Sequence, residues 1–141
     1  MDFRITKEYV WSGIIPDRPG AMAEKLQALH AGGLDLELII GRRDWSGNGM
    51  LFVSPLRTVE EIEAAEKAGL AMTDSFLALR IEGPNVPGVA ARIATALAEA
   101  NLSLHAYNAA ALGDKHVTMI HLDSKEEVDR AKEVLEQALS S

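Results

Sequence analysis

Two five-residue stretches carry the residue types that can do chemistry, Pro16-Asp17-Arg18-Pro19-Gly20 and Pro84-Asn85-Val86-Pro87-Gly88. Each sets a side-chain oxygen, from Asp17 or Asn85, just ahead of a Pro-Gly step that opens a run of helical periodicity at Ala21 or Val89. The first amides of a helix have no intrahelical acceptor and attract anions. Such a start offers donors to a carboxylate, while Asp17 or the Asn85 amide oxygen can accept from an ammonium. Gly20 and Gly88, without a Cβ, let a ligand or another segment reach the first turn. Each proline fixes its own φ and restricts the residue before it. Arg18 and Val86 are therefore expected to be extended, with Pro19 and Pro87 in the first helical turn and Asp17 and Asn85 capping its amides. A stiff turn with simple caps explains either stretch alone without any ligand. Asp17 brings a charge that Asn85 lacks, so the first stretch should prefer a cationic group and the second a neutral one.

The two stretches belong to a longer repeat. Sliding the chain by 68 positions superimposes them, and from Pro16 to Leu36 eight of 21 columns are identical. One structural unit is used twice, roughly over 1–73 and 74–141. In the first unit, residues 9–15 are rich in aromatic and branched types and read as a strand that Phe3 and Ile5 can extend. Helical periodicity follows over 21–31 and stops at Gly32-Gly33. Residues 34–40 alternate as a one-sided strand, and 42–49 form a hairpin connection into a strand at 50–53. Thr58, with Glu61 three positions on, makes a capping box for a helix over 59–68. Residues 70–72 suffice for a short last strand.

The second unit repeats the order, with a strand at 76–82, a helix at 89–100, strands at 102–109 and 117–122, and a helix over 125–138 capped by Ser124. No fourth strand follows. The pattern predicts an α+β fold of two ferredoxin-like βαββαβ units in tandem, antiparallel sheets with helices on one face, the second lacking its last strand. Its vacant edge would be filled by residues 2–6 or by another chain. That vacancy, and the thin core that about 70 residues supply, point to a homodimer.

Composition narrows the partners. The chain has 141 residues, 48% of them apolar, and a formal charge of −7. Its 14 Lys and Arg form no run, which argues against nucleic acid or an anionic membrane surface as partner. Without cysteine there is no disulfide, thiol nucleophile or thiolate metal site. No signal-peptide pattern or bilayer-length apolar run is present, and cytoplasm is the expected compartment.

Other chemistry is sparse. Arg42, Arg43 and Trp45 lie in the first hairpin and have no counterpart in the second unit, so the two sites should differ. They serve either as solvated charges and packing or to bind a second carboxylate. The loop is expected to project and to become ordered or shielded when a ligand or partner binds. His30, His105, His116 and His121 lack the short pairing of a metal site. His105 is the one to watch, because it falls on a predicted strand near Tyr107 and Asn108 and can read a ligand's polar group. Serine elbows and phosphate loops are missing. Neither a catalytic residue nor a cofactor is therefore assigned.

The strand, the Asp/Asn-x-Pro-Gly loop, the amphipathic helix and a following Leu-x-Leu resemble the ACT domain, a small-molecule sensing module, here in two copies over nearly the whole chain. The resemblance implies modules with sheets set side by side and an amino acid bound at a seam between one module's loop and its neighbour's second strand. Carried onto this sequence, that assigns ligand contacts to Asp17, Arg18, Gly20 and Ala21 and to Asn85, Val86, Gly88 and Val89, with 34–39 and 102–107 as seam strands. It implies a regulatory protein for an amino acid or small carboxylate, acting through a regulated enzyme, another protein partner or its own oligomer. An adaptor that keeps the fold without a ligand and, more remotely, a small enzyme are the alternatives.

Overall fold

Three helices end in the same way, and this shared stop sets where the strands begin. The computed structural model describes residues 2–140, with the backbone alone for 72–75. After α1 (Ala21–Ala31), Gly33 takes φ 86° and the Leu34 N–H returns to the Leu29 carbonyl at 3.2 Å. After α2 (Val59–Lys67), Gly69 takes φ 94° and Leu70 bonds to Ala65 at 2.9 Å. After α3 (Val89–Glu99), Asn101 takes φ 60° and Leu102 bonds to Leu97 at 3.0 Å. These are Schellman stops, in which a left-handed residue turns the chain and the next apolar residue packs back on the helix. Leu34, Leu70 and Leu102 are accordingly buried in the cores.

The consequence is a correction to two expected strands. β2 spans Leu38–Arg43 and β5 spans Ala106–Leu112, each starting four residues later than the alternation at 34–40 and 102–109 suggested. Leu34 and Leu102 belong to the helix stops, so the leucine pattern mixed a C-cap with a strand. Each late strand is preceded by one isolated bond, Glu37 N–H to the Ser54 carbonyl and His105 N–H to the His121 carbonyl, both 2.8 Å.

The remaining strands are β1 (Arg4–Ile15), β3 (Gly49–Ser54), β4 (Ala71–Pro84) and β6 (Lys115–His121), and the last helix is α4 (Lys125–Ala138). The short strand expected at 70–72 and the strand expected at 76–82 are one continuous β4. The first hairpin is also tighter than predicted, because Arg42 and Arg43 are the last residues of β2.

Chain contacts divide the fold into two units, Tyr9–Phe76 and the segment up to Glu8 together with everything from Leu77. This places the first eight residues with the second unit, where the repeat boundary at 73/74 had grouped them with the first. Within the first unit the strand order is β2-β3-β1-β4. Trp11, Ile15, Leu29, Leu34, Leu51, Val53, Ala65 and Leu70 form its core. Thr58 and Glu61 make the expected reciprocal capping box at α2.

In the second unit the order is β1-β4-β6-β5, and Leu79, Ile81, Ile93, Leu97, Ile120, Val128 and Leu135 are core residues. No strand follows α4, as expected among the described residues. The place beside β4 is held by the N-terminal part of β1, and Phe3 and Ile5 pack against the second core. Gly83 makes room for them, since a Cβ there would overlap the Phe3 ring. Arg4 pairs with Glu82 at 3.1 Å and Lys7 with Asp129 at 2.7 Å. With that edge occupied, the vacant strand position no longer argues for a second chain.

Candidate functional site

Sheet register brings the first loop to the end of the first hairpin. Ile15 lies opposite Gly49, and Gly49 opposite Arg43, so the chain leaving β1 at Pro16 passes close to the last residue of β2. Arg43 Nη2 donates to Asp17 Oδ1 at 2.8 Å. The pair is exposed on both sides, which makes it easy to open. Beside it, Arg18 and Glu24 form a second ion pair at 2.6 Å. That contact raises the guanidinium pKa and holds the Glu24 carboxyl below its ordinary value, first through the hydrogen bond and then through charge.

The helix starts differ from expectation in two respects. Gly20 and Gly88 are the N-caps themselves, with φ of 87° and 83°, so Pro19 and Pro87 precede the helices. No side chain caps either start. Asp17 is turned to Arg43, and the Asn85 contribution is its backbone N–H, which donates to the Asp114 carbonyl at 2.8 Å. A Cβ at Gly20 or Gly88 would meet nothing within 4 Å. Glycine is needed there for its left-handed backbone, with no packed segment against it.

The two loops share their entry into the helix, although Arg18 N–H bonds to the Pro16 carbonyl at 3.0 Å only in the first. Ala21 N–H bonds to the Arg18 carbonyl and Val89 N–H to the Val86 carbonyl, both at 3.3 Å. The first true helical bonds run from Glu24 to Gly20 and from Arg92 to Gly88. The amides of Met22 and Ala23, like those of Ala90 and Ala91, therefore stand at helix positions where no intrahelical acceptor exists. Ala21 and Val89 bury their side chains at 4% and 3% exposure, and Val86 packs on the second core. These three anchor the loops, and only their backbones face the helix mouths.

What differs is charge. In the second unit Gly83 lies opposite His116, and His116 opposite Ala111. Ala111 thus occupies the place that Arg43 holds in the first unit, just as Asn85 replaces Asp17. The first mouth carries a plus and a minus 2.8 Å apart at these two positions and the second carries neither there, its nearby charged residues being Lys115, opposite Pro84, and Asp114, whose carbonyl accepts from Asn85.

His105 does not join the second loop. It precedes β5 at the end where Ala106 pairs with His121, whereas Asn85 bonds at the opposite, Asp114 end. The six residue steps of β5 between them correspond to about 20 Å of strand. Its imidazole instead lies 4.5 Å from that of His121, the rings tilted by 51°, and Nδ1 lies 3.3 Å from Asp123 Oδ1. Burial, then the neighbouring His105, lowers the His121 pKa, while Asp123 opposes them. No spacing in the sequence pairs these histidines, because strand pairing alone unites them. His116 is buried and shares a 2.6 Å hydrogen bond with Thr118 Oγ1, and His30 is exposed near the end of α1. Among the described residues no group of three or more His, Cys, Asp or Glu is placed to hold a metal ion, and no helix is long and apolar enough to cross a membrane.

Residues 78–140, most of the second unit, match the ACT domain family. A protein from Bacteroides thetaiotaomicron has the same fold with a TM-score of 0.77 at 17% identity, over 94% of this chain and 89% of that one. The ligand-free regulatory subunit of aspartate kinase from Thermus thermophilus superimposes with a TM-score of 0.66 at 21% identity, over 98% and 97% of the two chains. Its counterpart from Thermus flavus gives 0.63 at 20% identity, over 99% and 97%. No curated protein is similar enough to match. The second unit thus matches the ACT domain over residues 78–140, the first has the same order of elements, and the chain is a tandem ACT-domain-like module.

Proposed function

We propose that this tandem ACT-like chain is a non-catalytic regulatory protein whose first unit binds an amino acid or a closely related small carboxylate at loop 16–20. The observation that supports this is the exposed Asp17–Arg43 pair at the mouth of α1, replaced by Asn85 and Ala111 in the second unit. A zwitterion is complementary to that mouth. Its carboxylate takes Arg43 and the amides of Met22 and Ala23, and its ammonium takes Asp17. Opening an exposed ion pair costs only about 0–1 kcal/mol, so the exchange is inexpensive. The second mouth, with Asn85 and Ala111 in place of that pair, suits a neutral polar group.

Binding is read out by a partner, a regulated enzyme or another protein, and a homodimer in the cytoplasm completes the proposal. The absence of cysteine agrees with a reducing compartment. A thermal-shift screen of the twenty amino acids, with acetate and methylamine as single-charge controls, tests the reading. A ligand present at 100 times its Kd stabilises the folded state by about 2.7 kcal/mol. At least one amino acid should raise the melting temperature while neither control does. No shift with any amino acid would refute the assignment.

A further inference from the structure

The opposite face of the first unit holds the motif that ligand binding does not use. Leu51 and Val53 of β3 point into the core, so their neighbours Met50 and Phe52 lie on the face without helices. Strand pairing sets Arg42 and Ile14 beside Met50, and Ile40 beside Phe52, on that same face. The Arg42 guanidinium carbon sits 5.2 Å above the Phe52 ring, and Phe76 meets Phe52 edge-on at 6.2 Å. Ile14 is 63% exposed and Trp45, at the hairpin tip, is fully exposed.

The tip is rigid. The Asp44 carboxylate accepts from the Ser46 and Asn48 amides at 2.9 Å and from Ser46 Oγ at 2.7 Å, and these bonds, led by the Ser46 hydroxyl, lower its pKa. Asn48 Nδ2 donates in turn to Ser46 Oγ. The loop projects as expected, as a turn braced by these bonds that holds an indole out into water. Between the tip and the strands, Arg42, Arg43, Asp44, Trp45, Met50 and Phe52 line an open cleft of about 640 Å³. A small ligand is normally buried over most of its surface, and this cleft is too shallow for that. It suits a protein surface.

We propose that this face is a self-association surface whose occupant is a second copy of the chain, related by a twofold axis. A twofold contact needs a patch that complements itself. This one carries both halves of each pairing, a projecting indole with a recess for it and a cation with an anion. The partner's Trp45 stacks on the free side of the Arg42 guanidinium, completing a Phe52–Arg42–Trp sandwich, while Arg42 of one copy faces Asp44 of the other. Area supports it as well. Two tryptophans contribute roughly 300–500 Å², and with Ile14, Met50 and Phe52 on both copies the contact approaches the roughly 1,000 Å² that a specific interface needs. Arg43 borders both this cleft and the pair with Asp17, whereas Arg42 and Trp45 take no part in the ligand site, so changes at those two residues report on self-association alone.

Sedimentation velocity across about 1–500 μM, on wild type, Trp45→Ala and Arg42→Lys, tests the proposal. Wild type should dimerise with rising concentration, and its tryptophan emission should shift to the blue as it does, because Trp11 is already buried. Trp45→Ala should weaken dimerisation at least about 30-fold, as loss of a tryptophan hot spot does, and abolish the spectral shift. Arg42→Lys, which keeps the charge but not the planar stack, should weaken it less. Circular dichroism should find all three folded, since Trp45 touches no core residue. A monomer throughout the range, or a dimer of unchanged affinity in Trp45→Ala, would overturn the proposal.

Discussion

Replacing Gly88 by alanine isolates what the loop glycine does. The residue sits at φ 83°, and a Cβ built on it meets nothing within 4 Å. Steric overlap therefore contributes nothing, and the whole cost is backbone conformation. Holding an L-residue in the left-handed region costs about 1–2 kcal/mol, and the stiffer unfolded chain returns about 0.4–1 kcal/mol. The net loss should be about 1 kcal/mol, and the same at Gly20, which has φ 87° and equally open space. Asparagine tolerates this region, so Gly88→Asn should cost clearly less. Gly83→Ala makes the contrast, because its Cβ would overlap Phe3 and the added cost should be relieved by Phe3→Ala. Urea titration at constant m reads these differences. Equal losses for alanine and asparagine at 88 would refute the conformational account, and a loss well above about 2 kcal/mol would mean that the methyl meets something. Because that methyl points into open space, any loss of ligand affinity in folded Gly88→Ala reports a ligand occupying it.

Three further outcomes follow from the fold. Phe3→Ala should destabilise the second unit by about 1–3 kcal/mol, below the loss for a fully buried phenylalanine, and removal of residues 2–8 should bare the β4 edge and cause association visible by light scattering. Thr58→Ala should cost about 1 kcal/mol through loss of the α2 cap, measured by the same urea titration. The lowered His121 pKa means that the unfolded chain binds more protons between that value and the ordinary 6.5. Stability from this group is therefore complete above pH 6.5 and falls as pH drops toward the folded value, and His121→Gln should flatten that part of the pH profile of the urea midpoint.

Local chemistry was legible in the sequence where it acts over a few residues. α1 and α4 fall where periodicity put them, and Thr58–Glu61 and Ser124–Glu127 cap as their spacing indicated. Gly20 and Gly88 were recognisable as special, although the reason is their φ and not a close neighbour. The strands at 34–40 and 102–109 were misplaced because Leu34 and Leu102 end helices, and only the backbone sign at Gly33 and Asn101 separates that role from a strand residue. What needed pairing across the sheet stayed hidden. Arg43 reaches Asp17 over 26 positions, His105 meets His121 through β5–β6 register, and Phe3 fills the second unit's edge from the other end of the sequence. The missing strand after α4 was visible, and the segment that replaces it was one of two candidates.

The charged mouth of α1 is the centre of the functional proposal, and calorimetric titration of its variants tests it most directly. The amino acid that stabilises wild type most should be titrated into Asp17→Asn, Arg43→Ala and, as the second-unit control, Asn85→Ala. The account predicts that each first-unit change weakens binding by about 1–3 kcal/mol through loss of a charged hydrogen bond, with melting temperatures of the free proteins little changed because the pair is exposed. Asn85→Ala should leave that affinity as it was. Wild-type affinity in both Asp17→Asn and Arg43→Ala would contradict the account and place the ligand away from loop 16–20.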